Sequence, residues 1–343
     1  MRRLAVWMVL LLPWPLLAAE VQRGKSEMEK VEIVKEDFHG WPNSYRLSNG
    51  LVEARVVTDI GPRIADFRHT GGTNVIYMRD SELGKSGEDH WVQRGGWRLW
   101  VAPERQDTTY DPDNTPCHAE ILNPTTLRVI GPPQPVAGIQ KQVEITLNPG
   151  EVRLRVVSHI KNVTSHELTY AAWSLPVLRP KGRAFVPMDV GASTAYDATR
   201  RYMLWSYTKM SDPRYSFGDR LIQVDHSKVE PAPPNQAGRR DDESKIGCDS
   251  AQGWAAYLVD GTLFFKRFAH AKNGRYPDGG ATIEVYSSHE FLELENLGPL
   301  TTIAAGEEIV LPEDWWLFPN VKIPTTEPEA LEVLRPFIEK TAW

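Results

Sequence analysis

The chain has 343 residues, with 45 acidic and 39 basic side chains for a formal charge of −6; 41% of it is hydrophobic, including 12 Trp and 11 Tyr. Charges of both signs are interspersed, so neither nucleic acid nor an anionic membrane is expected as a partner, and a neutral ligand fits better. The apolar content suffices for a large core and an aromatic cleft, while length alone admits two average domains or one large all-β sandwich.

At the start of the chain, Arg2 and Arg3 precede an apolar run from Leu4 to Leu17, and Ala18 and Ala19 precede Glu20. That is the layout of a secretory signal peptide. The run carries Pro13 and Pro15 and falls short of the roughly 20 apolar residues a membrane helix needs. Residues 1–19 are therefore read as a cleaved signal, with an uncleaved anchor as the alternative, and a periplasmic or secreted location is expected. No later segment is apolar enough to span a bilayer. Residues 20–30 lack apolar periodicity and read as a flexible lead-in, leaving 31–343 as one folded domain.

From Val31 onward most segments alternate apolar and polar residues as strands do. Asn49-Gly50, Asn148-Pro149-Gly150 and Asp260-Gly261 each stand between two such runs and predict hairpin turns. The Pro-rich stretch from Val229 to Lys245 reads as a long surface loop, because strand-like segments flank it; a domain boundary near Pro231 is the alternative. Helical periodicity appears at the end, where Leu331, Leu334 and Phe337 share a face despite Pro336. Cys117 and Cys248 are the only cysteines, and they read either as a disulfide, which export would allow, or as two buried thiols.

Four segments, taken in order, resemble the galactose-mutarotase-like superfamily, and more closely an uncharacterised bacterial family within it. They are Asn49 to Tyr77 with its Gly-x-Arg-Ile turn at Gly61 to Ile64, Gly95 to Glu104 followed by Thr109 to Asn114, Val157 to Leu175, and Tyr276 to Leu300 with the strand that follows. The resemblance implies an all-β supersandwich of two large antiparallel sheets with a short C-terminal helix, and a sugar or glycan as ligand in a cleft on one concave sheet face. Consecutive hairpins with alternating apolar residues agree, since they need a second sheet to bury them.

Mutarotation needs one group to take the anomeric proton and another to protonate the ring oxygen. The superfamily's pattern is a late Glu base, a middle His acid, and an early His and an Arg that hold the sugar. Glu293 or Glu295 is the counterpart of the base, and Arg63 or Arg98 of the arginine. The histidines do not carry over: Trp97 or Arg98 stands at the early position and Trp173 near the middle one. His270 and His289 are candidates for the missing acid.

Alternation in Phe291 to Leu297 places Glu293 and Glu295 on one strand face, opposite Leu292 and Leu294. Two carboxylates on an enclosed face repel, and one should then hold its proton. His90, Trp97, Arg98 and Glu104 make the segment from Gly87 to Glu104 the densest sugar-compatible stretch, since aromatic faces and bidentate Arg or carboxylate contacts suit sugars. Tyr110, Lys245, Tyr276 and Asp278 are further binding candidates on Gly-rich or turn-forming segments. Asp111 and Asp113 lack the further ligands of a calcium site, and no metal or cofactor is expected. The chain has no Gly-x-Ser-x-Gly elbow, phosphate-binding Gly loop or HExxH, so serine hydrolase, nucleotide-dependent and zincin chemistry lack support.

Overall fold

The structure, a computed structural model, describes residues 30–191, 196, 199–234 and 240–342. The expected signal segment and nearly all of the lead-in lie outside the described residues. The strands are, in chain order, β1 (Glu32–Phe38), β2 (Trp41–Ser48), β3 (Val52–Val57), β4 (Arg63–His69), β5 (Trp97–Ala102), β6 (His118–Asn123) and β7 (Thr126–Gln134). Then come β8 (Ile139–Leu147), β9 (Arg153–Asn162), β10 (Leu168–Leu178), β11 (Arg183–Pro187), β12 (Arg201–Leu204), β13 (Tyr215–Phe217) and β14 (Leu221–Asp225). The last are β15 (Ser244–Asp249), β16 (Trp254–Val259), β17 (Thr262–Phe268), β18 (Ile283–Ser287), β19 (Leu292–Leu297), β20 (Thr301–Ile303) and β21 (Glu308–Phe318), before helix α1 (Glu327–Lys340).

They form two antiparallel sheets. The first runs β1-β2-β3-β4-β5-β10-β19-β18-β15-β12, with β20 also paired to β10; the second runs β13-β14-β11-β16-β17-β21-β9-β8-β7-β6. The expected all-β sandwich with one C-terminal helix is the fold observed. Each predicted hairpin turn joins paired strands: Gly50 and Gly150 take positive φ, and Asp260 and Gly261 both do, at 48° and 74°, as a two-residue turn matched to strand twist requires.

Alternation decides which side chains meet between the sheets. Leu99, Val101, Ile246, Val285, Leu292 and Leu294 from the first sheet pack in one core with Val143, Ile145, Leu154, Val156, Trp315 and Leu317 from the second. Strands from both sides of Pro231 pair directly, β10 with β19 and β11 with β16, and the Pro-rich stretch passes from β14 in the second sheet to β15 in the first.

Helix α1 starts at Thr326, whose side chain accepts from the Glu329 N–H, and the Glu329 carboxylate returns to the Thr325 N–H at 2.7 Å. Its Leu334 and Ala330 pack with Trp254, Phe265, Trp316 and Phe318 on the outer face of the second sheet. The disulfide alternative is not realised: Cys117 and Cys248 are free thiols, and burial pushes Cys117 up to about 12 and Cys248 further in the same direction.

Candidate functional site

The helix occupies the β16–β17–β21 part of the second sheet's outer face, and the candidate site lies on the outer face of the first sheet. Residues alternating with the core positions point there: Arg98 and Trp100 on β5, Trp173 and Leu175 on β10, Glu293 and Glu295 on β19, Glu284 and Tyr286 on β18, and Lys245 on β15. Antiparallel register sets them side by side, with Trp100 opposite Trp173, Glu295 opposite Glu284, and Tyr286 between Glu293 and Lys245. At Gly247 a Cβ would lie 3.3 Å from the Trp205 ring and 3.4 Å from Glu284, so the missing side chain leaves room for both.

A cavity of about 360 Å³ opens over this face. Trp91, Trp100, Tyr110 and Trp173 form one wall, with ring centroids 5.0 to 5.5 Å apart at the contacts of Trp100. Trp205 and Tyr207, from the segment after β12, also line the cavity. Arg98 stacks on Trp100 at 4.1 Å and donates to Glu293 Oε1 at 2.9 Å, and Gln93 donates to the same oxygen at 3.1 Å. Both bonds fall on Oε1, so neither holds Oε2. The segment carrying Trp91 and Gln93 is tied down by Asn114, whose amide donates to the carbonyls of Glu88 and His90.

Beside Glu293 lies a buried charge cluster. Lys245 Nζ stands 2.6 Å from Glu284 Oε2 and 3.0 Å from Glu295 Oε2, and the Trp173 indole N–H donates to Glu295 Oε2 at 2.8 Å. Burial pushes the Glu284 carboxyl well up, Lys245 opposes this, and Glu295 and Asp278 add to the rise. Burial raises Glu295 too, again against Lys245. Burial pulls Lys245 down, but the two glutamates outweigh it and hold the ammonium well above the ordinary lysine value. Two carboxyls facing one ammonium thus retain a proton between them.

Comparison with solved structures gives the fold a context. A galactose mutarotase-like protein from Lactobacillus casei superposes with a TM-score of 0.52 at 10% identity, over 80% of this chain and 99% of that one. The fold is galactose-mutarotase-like. A Synechocystis protein matches with a TM-score of 0.53 at 10% identity, over 83% of this chain and 97% of that one. A TPR-domain containing protein from Parabacteroides distasonis matches at 0.52 and 16%, over 83% of this chain but 49% of that one. No family model and no curated protein sequence matches the chain, so the narrower bacterial family rests on resemblance alone.

On this face, the sequence-derived candidates separate. Glu293, Arg98, Glu104, Tyr110 and Lys245 line the cavity, Glu295 lies buried behind Lys245, and burial raises the Asp278 carboxyl within reach of Lys245 and Glu284. The others stand elsewhere. Trp97 has the opposite parity to Arg98 and is buried in the core, its indole N–H on Ser174 Oγ. Arg63 is 1% exposed and clamps Asp113 at 3.0 Å and the Gly95 carbonyl, where Gly96 has no Cβ to obstruct it. His90 is exposed and faces Asp89. His270 and Tyr276 stack on each other and line a separate polar pocket with Arg201 and Asp249. His289 bonds Asp242 at 2.6 Å, outside the cavity lining. Asp111 accepts from the N–H groups of Val136 and Ala137, a loop-fastening role.

Glu284 and Tyr286 were missed. Their signal was present, since Ile283, Glu284, Val285 and Tyr286 alternate as Leu292 to Glu295 do. Trp205 and Tyr207 sit on an irregular segment, where no periodicity marks the side that faces a ligand.

Proposed function

We propose that this is an exported carbohydrate-active protein that takes a sugar or glycan into the cavity on the outer face of the first sheet, with Glu293 as its acid/base group. The observation that carries the reading is Glu293: Arg98 and Gln93 hold one carboxylate oxygen and leave the other toward a cavity walled by tryptophans. Indole faces pack against sugar C–H groups, and an oriented carboxylate takes a hydroxyl proton. The volume sits near the lower end of the ~300–1,000 Å³ usual for small-molecule sites. Glu295, buried against Lys245 and Trp173, is a positioning residue in this reading, and Tyr286, beside Glu293 on the neighbouring strand and lining the cavity, is the proton donor.

A non-catalytic glycan-binding module is the second reading. It is favoured by one observation: no histidine lines the cavity among the described residues, so the imidazole acid of a mutarotase has no counterpart there. A thermal-shift screen over mono- and oligosaccharides, followed by anomer-resolved NMR of each hit, separates the two. Exchange or cleavage that falls by about 100-fold or more in Glu293→Gln supports the enzyme. Binding without turnover supports the module, and stabilisation by no sugar defeats both.

A further inference from the structure

Charge around the cavity is unevenly balanced. Each cation that lines it already has a carboxylate: Arg79 pairs with Glu290, Arg98 with Glu293, Arg240 with Asp242, and Lys245 with both Glu284 and Glu295. Glu104 is different. Its Oε1 accepts from the Tyr110 hydroxyl at 2.5 Å, and among the described residues no cation pairs with it. It is exposed at the cavity rim, where a ligand can reach it, and its charge contributes to raising Tyr110 and Asp278, whose shifts are led by burial.

The wall beside Glu104 also suits positive charge. Tyr110 contacts Trp91 at 5.2 Å and Trp100 at 5.0 Å, and Trp100 contacts Trp173. The protein sets its own cations against these rings: Arg98 lies over Trp100, and Lys245 lies over Trp173 at 4.5 Å and Trp205 at 4.7 Å. An aromatic face is drawn to a cation by its quadrupole, and a carboxylate at the edge of such a wall completes an ammonium site. An anionic sugar would meet Glu104 and Glu293 with every lining cation already paired.

We propose that the ligand of this cavity is a sugar bearing a free amine, its ammonium seated between Glu104 and the Trp91–Trp100–Tyr110 wall. This rests on the sugar-binding reading and names the substrate class. It departs from the neutral ligand suggested by overall composition, because the surplus is local.

Calorimetric titration of the protein with four tetrasaccharides tests it: β-1,4-linked glucosamine, its N-acetylated form, β-1,4-linked glucose and a uronic acid oligomer, with tetralysine as a cationic non-sugar. The glucosamine tetramer is expected to bind roughly tenfold more tightly than the glucose tetramer, with the preference reduced by salt. Glu104→Gln, an exposed change that leaves the core intact, should erase the preference, so that the glucosamine and glucose tetramers bind the variant equally. Equal or tighter binding of the neutral or acidic tetramers overturns the inference while the sugar reading stands. Tetralysine binding as well as the glucosamine tetramer, in wild type and Glu104→Gln alike, overturns it as mere attraction to an acidic protein. Binding of no tetramer defeats both the inference and the reading beneath it.

Discussion

Lys245 on the first sheet and Lys266 on the second are both buried, and their environments push them in opposite directions. Lys245 on the first sheet meets two carboxyls and is held above the ordinary lysine value despite burial. Lys266 on the second sheet reaches into the core between the sheets, 3.1 Å from Glu313 and 3.0 Å from the carbonyl of Leu294, and burial lowers it although Glu313 pulls the other way. At Lys266 one contacting carboxylate does not offset desolvation, whereas at Lys245 two do; Lys141 on β8, buried with Asp113 and Asp111 opposed by Arg63 and Arg98, is lowered to about 8. The carbonyl that Lys266 holds lies between Glu293 and Glu295 in sequence. The second sheet therefore braces the strand that carries the cavity's carboxylates, and the first sheet supplies the charge that faces the cavity.

The largest effect should come from breaking the deeper pair. Lys266→Met leaves Glu313 buried without a cation and removes the bond to Leu294, for an expected loss of about 3–5 kcal/mol. Adding Glu313→Leu should restore most of it, since two apolar side chains carry no desolvation cost. Urea unfolding of both variants reads this directly. A single variant as stable as wild type would mean that the Lys266–Glu313 pair and the cross-sheet bond to Leu294 contribute nothing.

Lys245→Met should cost less, about 2–4 kcal/mol at neutral pH. Glu284 and Glu295 can take up a second proton when the ammonium is gone, which limits the charge left unbalanced. The penalty should shrink as pH falls toward the ordinary carboxylate range, because protonation then neutralises what the lysine had balanced. A penalty that stays constant across pH would show that Lys245 contributes packing against Trp173 and Trp205 and little charge.

The contrast also shows what sequence could reveal. Strand alternation made the sandwich, its hairpins and the shared face of Glu293 and Glu295 legible, since period-two patterning and turn residues act locally. The same rule placed Trp97 and Arg98 on opposite faces, although proximity in sequence had grouped them as one binding stretch. Arg63 fitted the sugar-binding arginine by its position in a motif, yet its side chain is closed off by Asp113 and the Gly95 carbonyl, contacts 50 and 32 residues away. The partners of Lys245 lie on β18 and β19, and strand order, which no local pattern encodes, brings them together. Histidines scattered along loops carried no geometric information, and His90, His270 and His289 dispersed accordingly.

The smallest change is Glu284→Gln, and its value lies in its pH dependence. Burial raises the folded-state pKa of Glu284 well above its unfolded value. The folded state therefore binds more protons than the unfolded state in the window between the two, and stability falls as pH rises from the ordinary glutamate range through the raised value. An amide cannot ionise and resembles the protonated acid in shape, so the substitution should change stability by no more than about 1 kcal/mol where Glu284 still holds its proton. At higher pH the wild type continues to lose stability that the variant keeps. Unfolding curves measured from about pH 5 to about pH 9 should then diverge, with the variant flatter. Glu295, coupled to the same ammonium, would be relieved of a competitor and settle as the single carboxylate of Lys245. Parallel curves would place the retained proton on Glu295 instead, and the Lys245 cluster would then differ from the Lys266 pair only in having a silent third member.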